Sequence, residues 1–182
     1  MNTKDLIVNL DSLVRNNHPH NLSSDENWIV DDIKETCSLT FKDEITRGGV
    51  STGTELDNLI NGCELDSFIV LGGISLYGYE SHDQHLLSFG SGECGIFVIN
   101  TVNQGIYLVD HESGSILFEC SQNAEGFIGA LYWLMEYYFF RLISSIDHKS
   151  LQERANYASK AAMAAGGERY FDCFEHIINT VA

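Results

Sequence analysis

Residues 94–120 read CGIFVINTVNQGIYLVDHESGSILFEC, and this stretch decides the fold. It holds three short runs, 94–100, 105–110 and 115–120, each rich in Ile, Val, Phe or Tyr. Such side chains suit a pleated, half-buried surface. The joins, TVNQ and HESG, are short and polar, and Gly105 and Gly114 close them. Short joins of this composition between apolar runs make hairpins. The three runs therefore predict an antiparallel meander.

The same pattern continues upstream. DSFIVLGG (66–73), ISLYGYE (74–80) and HLLSF (85–89) read as further strands. Between them and the meander lies FGSGECG (89–95), with glycines at 90, 92 and 95. A phosphate cradle needs a helix N-terminus behind its glycines and usually a lysine. Here another strand follows, and the nearest downstream lysine is Lys149. These glycines are read as turning the chain.

Helical spacing flanks the strands. Leu6, Ile7, Leu10, Leu13 and Val14 predict an amphipathic helix over 3–15. Trp28, Ile29, Ile33 and Cys37 suggest a second, after the polar loop NNHPHNLSSDEN (16–27). TRGGVSTG (46–53) reads as a loop, and Thr54 as the cap of a short helix ending at Gly62, with Asp57 completing a capping box. Residues 123–146 place Phe127, Leu131, Leu134, Met135, Tyr138 and Leu142 on one broad apolar face. So wide an arc predicts a helix covered on two sides, by the sheet and by the last forty residues. Those residues read as an alanine-rich helix, 151–165, stopped by Gly166-Gly167, and a final helix over 168–181.

Charge is unevenly placed along the chain. The 182 residues carry 26 acids, ten bases and a formal charge of −16. Twelve of the acids and none of the bases fall between residues 48 and 140. Phosphate and nucleic-acid binding both require positive charge and are disfavoured. A negative surface of this kind keeps a protein soluble or steers a basic partner toward it. The N-terminus has no apolar signal segment, and LYWLMEYYFF (131–140) is too short to span a bilayer. The five cysteines, 37, 63, 94, 120 and 173, contain no CxxC pair and read as buried thiols in a reducing compartment. Cytoplasmic localisation is the expectation.

Motifs for chemistry are sparse. His82 and His85 form an HxxH, but no further His or Cys stands beside them at ligand spacing. His18 and His20 flank Pro19 in a polar loop. Asp110-His111-Glu112 sits at a hairpin tip without a nucleophile signature, and neither GxSxG nor HExxH occurs. The expectation is a protein that is not an enzyme, with no catalytic residue, cofactor or metal. The aromatic run over 132–140 is read as core.

Residues 66–131 resemble the SUKH superfamily, the Smi1/Knr4-like proteins. The similarity lies in GECGIFVINTVNQGIYLVDHESGSILFECSQNAEGFIGAL. A glycine-marked strand leads into a hairpin whose second strand ends near an aspartate, then into a strand and an Asn-led helix with Phe127 near its start. IKETCSLTFKDEI (33–45) is similar to the family's entry segment, with Phe41-Lys42 where the family has a proline and Arg47-Gly48-Gly49 where it has Asn-Gly-Gly. Many members resemble bacterial immunity proteins that neutralise a cognate toxin, often a nuclease. The resemblance implies such a role here, with the acidic middle facing a basic toxin domain.

The expected fold is α+β: an antiparallel or mixed sheet of about five to six strands with packed helices and a helical C-terminal extension. The domain division is 1–148 for the SUKH-like unit and 149–182 for the extension packed on it. The candidate partner-binding residues are Glu55, Asp57, Glu64, Asp66, Glu80, Asp83 and Glu93. Occlusion of a toxin surface by these acids, around aromatic anchors, would be the mechanism. The alternative is an acidic type III secretion-like chaperone that holds an effector segment, dimerising through an apolar helix over 127–143.

Overall fold

The computed structural model describes residues 1–17, 39–42, 50–65, 69–70, 74–143 and 150–180. The helix expected over 28–37 and the candidate Asp66 lie outside them. Six strands run in chain order as one antiparallel sheet: β1 (Ile69–Val70), β2 (Ile74–Ser81), β3 (Leu86–Gly92), β4 (Gly95–Asn100), β5 (Ile106–Val109) and β6 (Ile116–Ser121). The described helices are α1 (Thr3–Asn16), α2 (Leu56–Ile60), α3 (Ala124–Ile143), α4 (Leu151–Ala165) and α5 (Phe171–Thr180), with a 3-10 turn over Glu168–Tyr170. The fold is α+β, and the meander expected from sequence forms its sheet.

Register sorts the side chains into two faces. Residues directly opposed across antiparallel strands share a face. Leu76, Gly90, Phe97, Leu108 and Phe118 make one row, and Ser81, Leu87, Ile99, Ile106 and Ser121 a second. These rows meet the helices. At Phe89 the pairing slips between Ser88 and Gly90. This bulge drives the Phe89 ring into the core beside Phe97 and Phe127, with centroids 6.3 and 5.4 Å away. Phe97 and Phe127 close the triangle at 5.5 Å. Phe127 thus anchors α3 on the sheet, as the helical spacing implies.

The second side of α3 is covered as well. Its buried residues include Ile128, Leu131, Leu134, Met135, Tyr137, Tyr138 and Phe139, and α4 packs along it. Ala158, Ala161, Ala162 and Ala165 form the buried stripe of α4. Small residues on both sides let the two backbones approach. A Cβ at Gly126 would lie 2.8 Å from Ala165 O, and one at Gly129 would lie 3.3 Å from Ala164 Cβ. The end of α4 is fastened to β6, where the buried Ser121 hydroxyl lies 2.9 Å from Ala165 O. Gly166 and Gly167, at φ 125° and 137°, then reverse the chain into α5. Tyr132, Trp133 and Phe140 on α3 are only partly buried.

Two local expectations need correction. The glycines of FGSGECG do not all turn the chain. Gly90 and Gly92 lie within β3, and Glu93 and Cys94 alone form the turn before Gly95. Gly90 is in the strand because its neighbours leave no room: a Cβ there would meet the Leu76 side chain at 2.9 Å. Gly95 is the one that requires glycine conformation, at φ +141°, with Val109 O 2.5 Å from where a Cβ would be. The second correction concerns Thr54. α2 begins after Glu55 and has no side-chain cap; the Asp57 carboxylate accepts from Ser51, Thr52 and Gly53, and Thr54 contributes only its carbonyl, which accepts from Asp57 N at 3.1 Å.

Candidate functional site

The other face of the sheet is the candidate site. One of its rows runs Glu80, Ser88, Val98, Tyr107, Glu119, and the next runs Ser75, Ser91, Ile96, Val109, Ile116. None of these residues belongs to the hydrophobic cluster that joins sheet and helices. The centre is apolar, from Ile96, Val98, Tyr107 and Val109. Each end of the first row carries an exposed carboxylate, Glu80 on β2 and Glu119 on β6. At the β6 edge, Ile116 and Leu117 are 56% and 41% exposed.

Val98 and Val109 are fully shielded although they face away from the helices. Twist accounts for part of this. Strands rotate progressively, so diagonally opposite corners of a sheet curl toward each other. The β2–β3 turn and the β5–β6 turn stand at such corners, and a Cβ at Gly114 would be 3.9 Å from His82 Nε2. The helix-side face is filled, so the corners close over the other one. Bulges between Ile106 and Tyr107 and between Leu108 and Val109 add to the curl of β6.

Turns at the strand ends carry further acids. Glu93 is exposed in the β3–β4 turn, and Asp83 in the β2–β3 turn at the opposite end of the sheet. Asp110 organises the β5–β6 turn by accepting from Ser113 N (2.7 Å), Ser113 Oγ (2.9 Å) and Glu112 N (3.1 Å). The Ser113 amide and hydroxyl hold its carboxyl below the usual range, so it is ionised at neutral pH. Across that end, His111 Nε2 lies 2.8 Å from Gly92 O and ties two turns together.

The remaining candidates face elsewhere and are engaged within the chain. Glu55 Oε1 accepts the Thr3 amide at 2.8 Å and thereby completes the start of α1, while Oε2 accepts from Asn58. Asp57 accepts from Ser51 Oγ (2.7 Å), Thr52 Oγ1 (2.8 Å), Gly53 N (2.9 Å), Tyr79 OH (2.9 Å) and Thr52 N (3.0 Å). Partial burial pushes its carboxyl up, but the bonds from Thr52, Ser51 and Tyr79 outweigh that and hold it below the usual range. Glu64 accepts from Thr40 Oγ1 at 3.2 Å, beside the bridge that pairs Phe41 with Cys63. The six described acids therefore do not converge. Glu80 is on the candidate face, Asp83 and Glu93 are at its two ends, and Glu55, Asp57 and Glu64 stabilise the α2 region.

Sequence reasoning missed Glu119, Tyr107 and the exposed pair Ile116 and Leu117. The signal for Glu119 was present: a charged residue inside the apolar run SILFEC has to face outward. Beside Tyr107 and Glu119 a cleft of about 240 Å³ opens, bounded also by Asn103, Gln122, Arg169 and Tyr170. The Arg169 guanidinium lies over the Tyr170 ring, 4.6 Å from its centroid. Among the described residues no group of three or more His, Cys, Asp or Glu side chains could hold a metal, and His82 and His85 sit in an exposed turn. No described helix is long and apolar enough to cross a membrane. Compared with known proteins, the chain matches no family model, no curated protein and no solved structure.

Proposed function

We propose that this protein is a bacterial immunity protein of SUKH-like type, acting in the cytoplasm, that binds a basic toxin domain of nuclease type and neutralises it by occlusion. The observation that carries the reading is the curled outer face of the sheet. Exposed Ile116 and Leu117 stand at its β6 edge, Glu80 and Glu119 carry exposed carboxylates along it, acidic turns stand at its ends, and no Lys or Arg occurs between residues 48 and 140. Exposed apolar side chains beside charged ones are how protein interfaces divide labour: the apolar contacts supply affinity, and the charges supply steering and specificity. A nuclease must present Lys and Arg to its substrate. An acidic face that covers those side chains competes directly with nucleic acid.

The strand-and-turn pattern of 66–131 supports the same reading through its SUKH resemblance. Residues Glu80, Asp83 and Glu93, joined now by Glu119, are the acids free to meet a partner in this way. Glu55 and Asp57 already serve the fold.

The test is affinity capture of the tagged protein from its own cells at moderate salt, with mass spectrometry of what stays bound. A basic toxin domain held at equal stoichiometry, and lost when Glu80 and Glu119 are changed to lysine, is the expected result. A tightly bound partner that is indifferent to both reversals, or an effector held through an unstructured segment, would overturn the proposal.

A further inference from the structure

Two buried thiols meet between the sheet and the last helix. Cys120 lies in β6 and Cys173 in α5, 53 positions apart in sequence, and their Sγ atoms are 2.6 Å apart. A disulfide bond is about 2.0 Å long, so only a small further approach separates contact from bonding. Both cysteines are free and both are shielded from solvent. The bulge in β6 accounts for the meeting. Pairing passes from Ser121 to Glu119 and skips Cys120, which leaves that residue unpaired across the sheet and turned into the helical layer. α5 then delivers Cys173 from the buried face that also carries Phe174, Ile177 and Ile178.

We infer that Cys120 and Cys173 form a reversible disulfide that fastens α5 to the edge strand when a low-molecular-weight disulfide such as glutathione disulfide is in excess. One protein thiol releases its proton and attacks a sulfur of glutathione disulfide. The S–S bond of the oxidant breaks, a mixed disulfide forms, and a glutathione thiolate leaves. The second protein thiol, likewise deprotonated, attacks the protein sulfur of the mixed disulfide and expels the second glutathione thiolate. The two leaving thiolates take up the two protons. Two protein thiols are oxidised and one glutathione disulfide is reduced.

Burial sets the rate of this exchange. Thiolate is the attacking species, and burial pushes the Cys120 thiol well above its ordinary value. The oxidant reaches either sulfur only when α5 lifts from β6, so oxidation follows local opening. Once formed, the bridge closes a loop of 53 residues and restricts the unfolded chain.

The full-length reduced protein is incubated with excess glutathione disulfide, denatured, alkylated and weighed. Three of its five thiols are expected to take label where the reduced chain takes five. Cleavage after glutamate places each cysteine on its own peptide, Cys120 on 120–125 and Cys173 on 169–175, so the linked pair is read directly. The oxidised protein is expected to melt about 10 °C higher, and dithiothreitol should abolish the shift. Cys94→Ser should leave the bridge and the shift intact. Five labelled thiols after oxidation, a bridge mapped to another pair, or an unchanged Tm with the bridge in place would overturn the inference.

Discussion

Asp57 is the residue at which a sequence-based binding role and the structure part most clearly, and Asp57→Ala tests the difference. The carboxylate collects five donors from Ser51, Thr52, Gly53 and Tyr79. Removing it frees all five, but they do not cost the same. Ser51 and Gly53 are exposed and regain water, and the Thr52 hydroxyl keeps Thr54 Oγ1 at 2.8 Å. The Thr52 amide and the Tyr79 hydroxyl are half-buried; the amide loses its partner, and the hydroxyl keeps only a long contact to Thr52 Oγ1 at 3.5 Å. At about 1.5 kcal/mol each, the loss comes to about 3 kcal/mol. For a chain of this size that lowers Tm by about 8 °C in calorimetry, with a matching fall in the urea midpoint. Asp57→Asn keeps the shape and loses less, because hydroxyls can reverse their bonds whereas backbone amides cannot. The pH dependence has a definite sign. The folded carboxyl is held below its unfolded value of 3.8, so the unfolded chain binds the proton first on acidification. The stability gap between wild type and Asp57→Ala should therefore be full at neutral pH and close as pH falls below about 4. A Tm loss of less than 2 °C at neutral pH, or a gap that widens in acid, would refute the reasoning.

Three further outcomes follow from the same geometry. Glu80→Lys with Glu119→Lys should slow association with a basic partner by about tenfold at low salt and leave Tm unchanged, as stopped-flow binding over a salt series would show. Phe127→Ala empties the centre of the ring triangle with Phe89 and Phe97 and should cost about 4 kcal/mol by denaturant unfolding. Gly95→Ala forces a side chain into φ +141° against Val109 O and should destabilise by about 2 kcal/mol or more, while Gly53→Ala, with nothing within 4 Å of its Cβ position, should cost less.

The sheet was legible because its signals are local. Runs of six residues rich in β-branched and aromatic side chains, separated by short polar joins, fix both strand and partner when each strand pairs with the next. The same holds for α3 and α4, whose apolar arc and alanine stripe repeat at helical spacing over several turns. What stayed hidden depends on register. Whether a glycine in FGSGECG belongs to a turn or to a strand follows from how close Leu76 comes on the neighbouring strand, and nothing in the seven residues encodes that distance. The Phe89 bulge is of the same kind. One extra residue in β3 moves a ring from one face to the other, and only the pairing with β4 reveals the slip.

The candidate face shows why the acids were legible as a group and not as a site. The absence of Lys and Arg from 48–140 is a property of composition and survives any folding. Which acids a partner can meet is a property of side-chain direction. Asp57 follows a short loop whose backbone amides need acceptors, and a carboxylate four to six residues from such donors is drawn inward, while Glu55 is drawn in by the Thr3 amide at the start of α1. Glu80 and Glu119 lie in strands, where backbone groups are already paired and the side chain is left to the face that alternation assigns. Strand acids in an apolar run are therefore the better sequence marker for a contact surface, and loop acids beside Ser, Thr and Gly are the better marker for a structural acceptor. By that rule Glu80 and Glu119, at opposite edges of one row, are the pair on which a basic partner should depend, and Asp57 is the acid whose loss it should feel only through the stability of the fold.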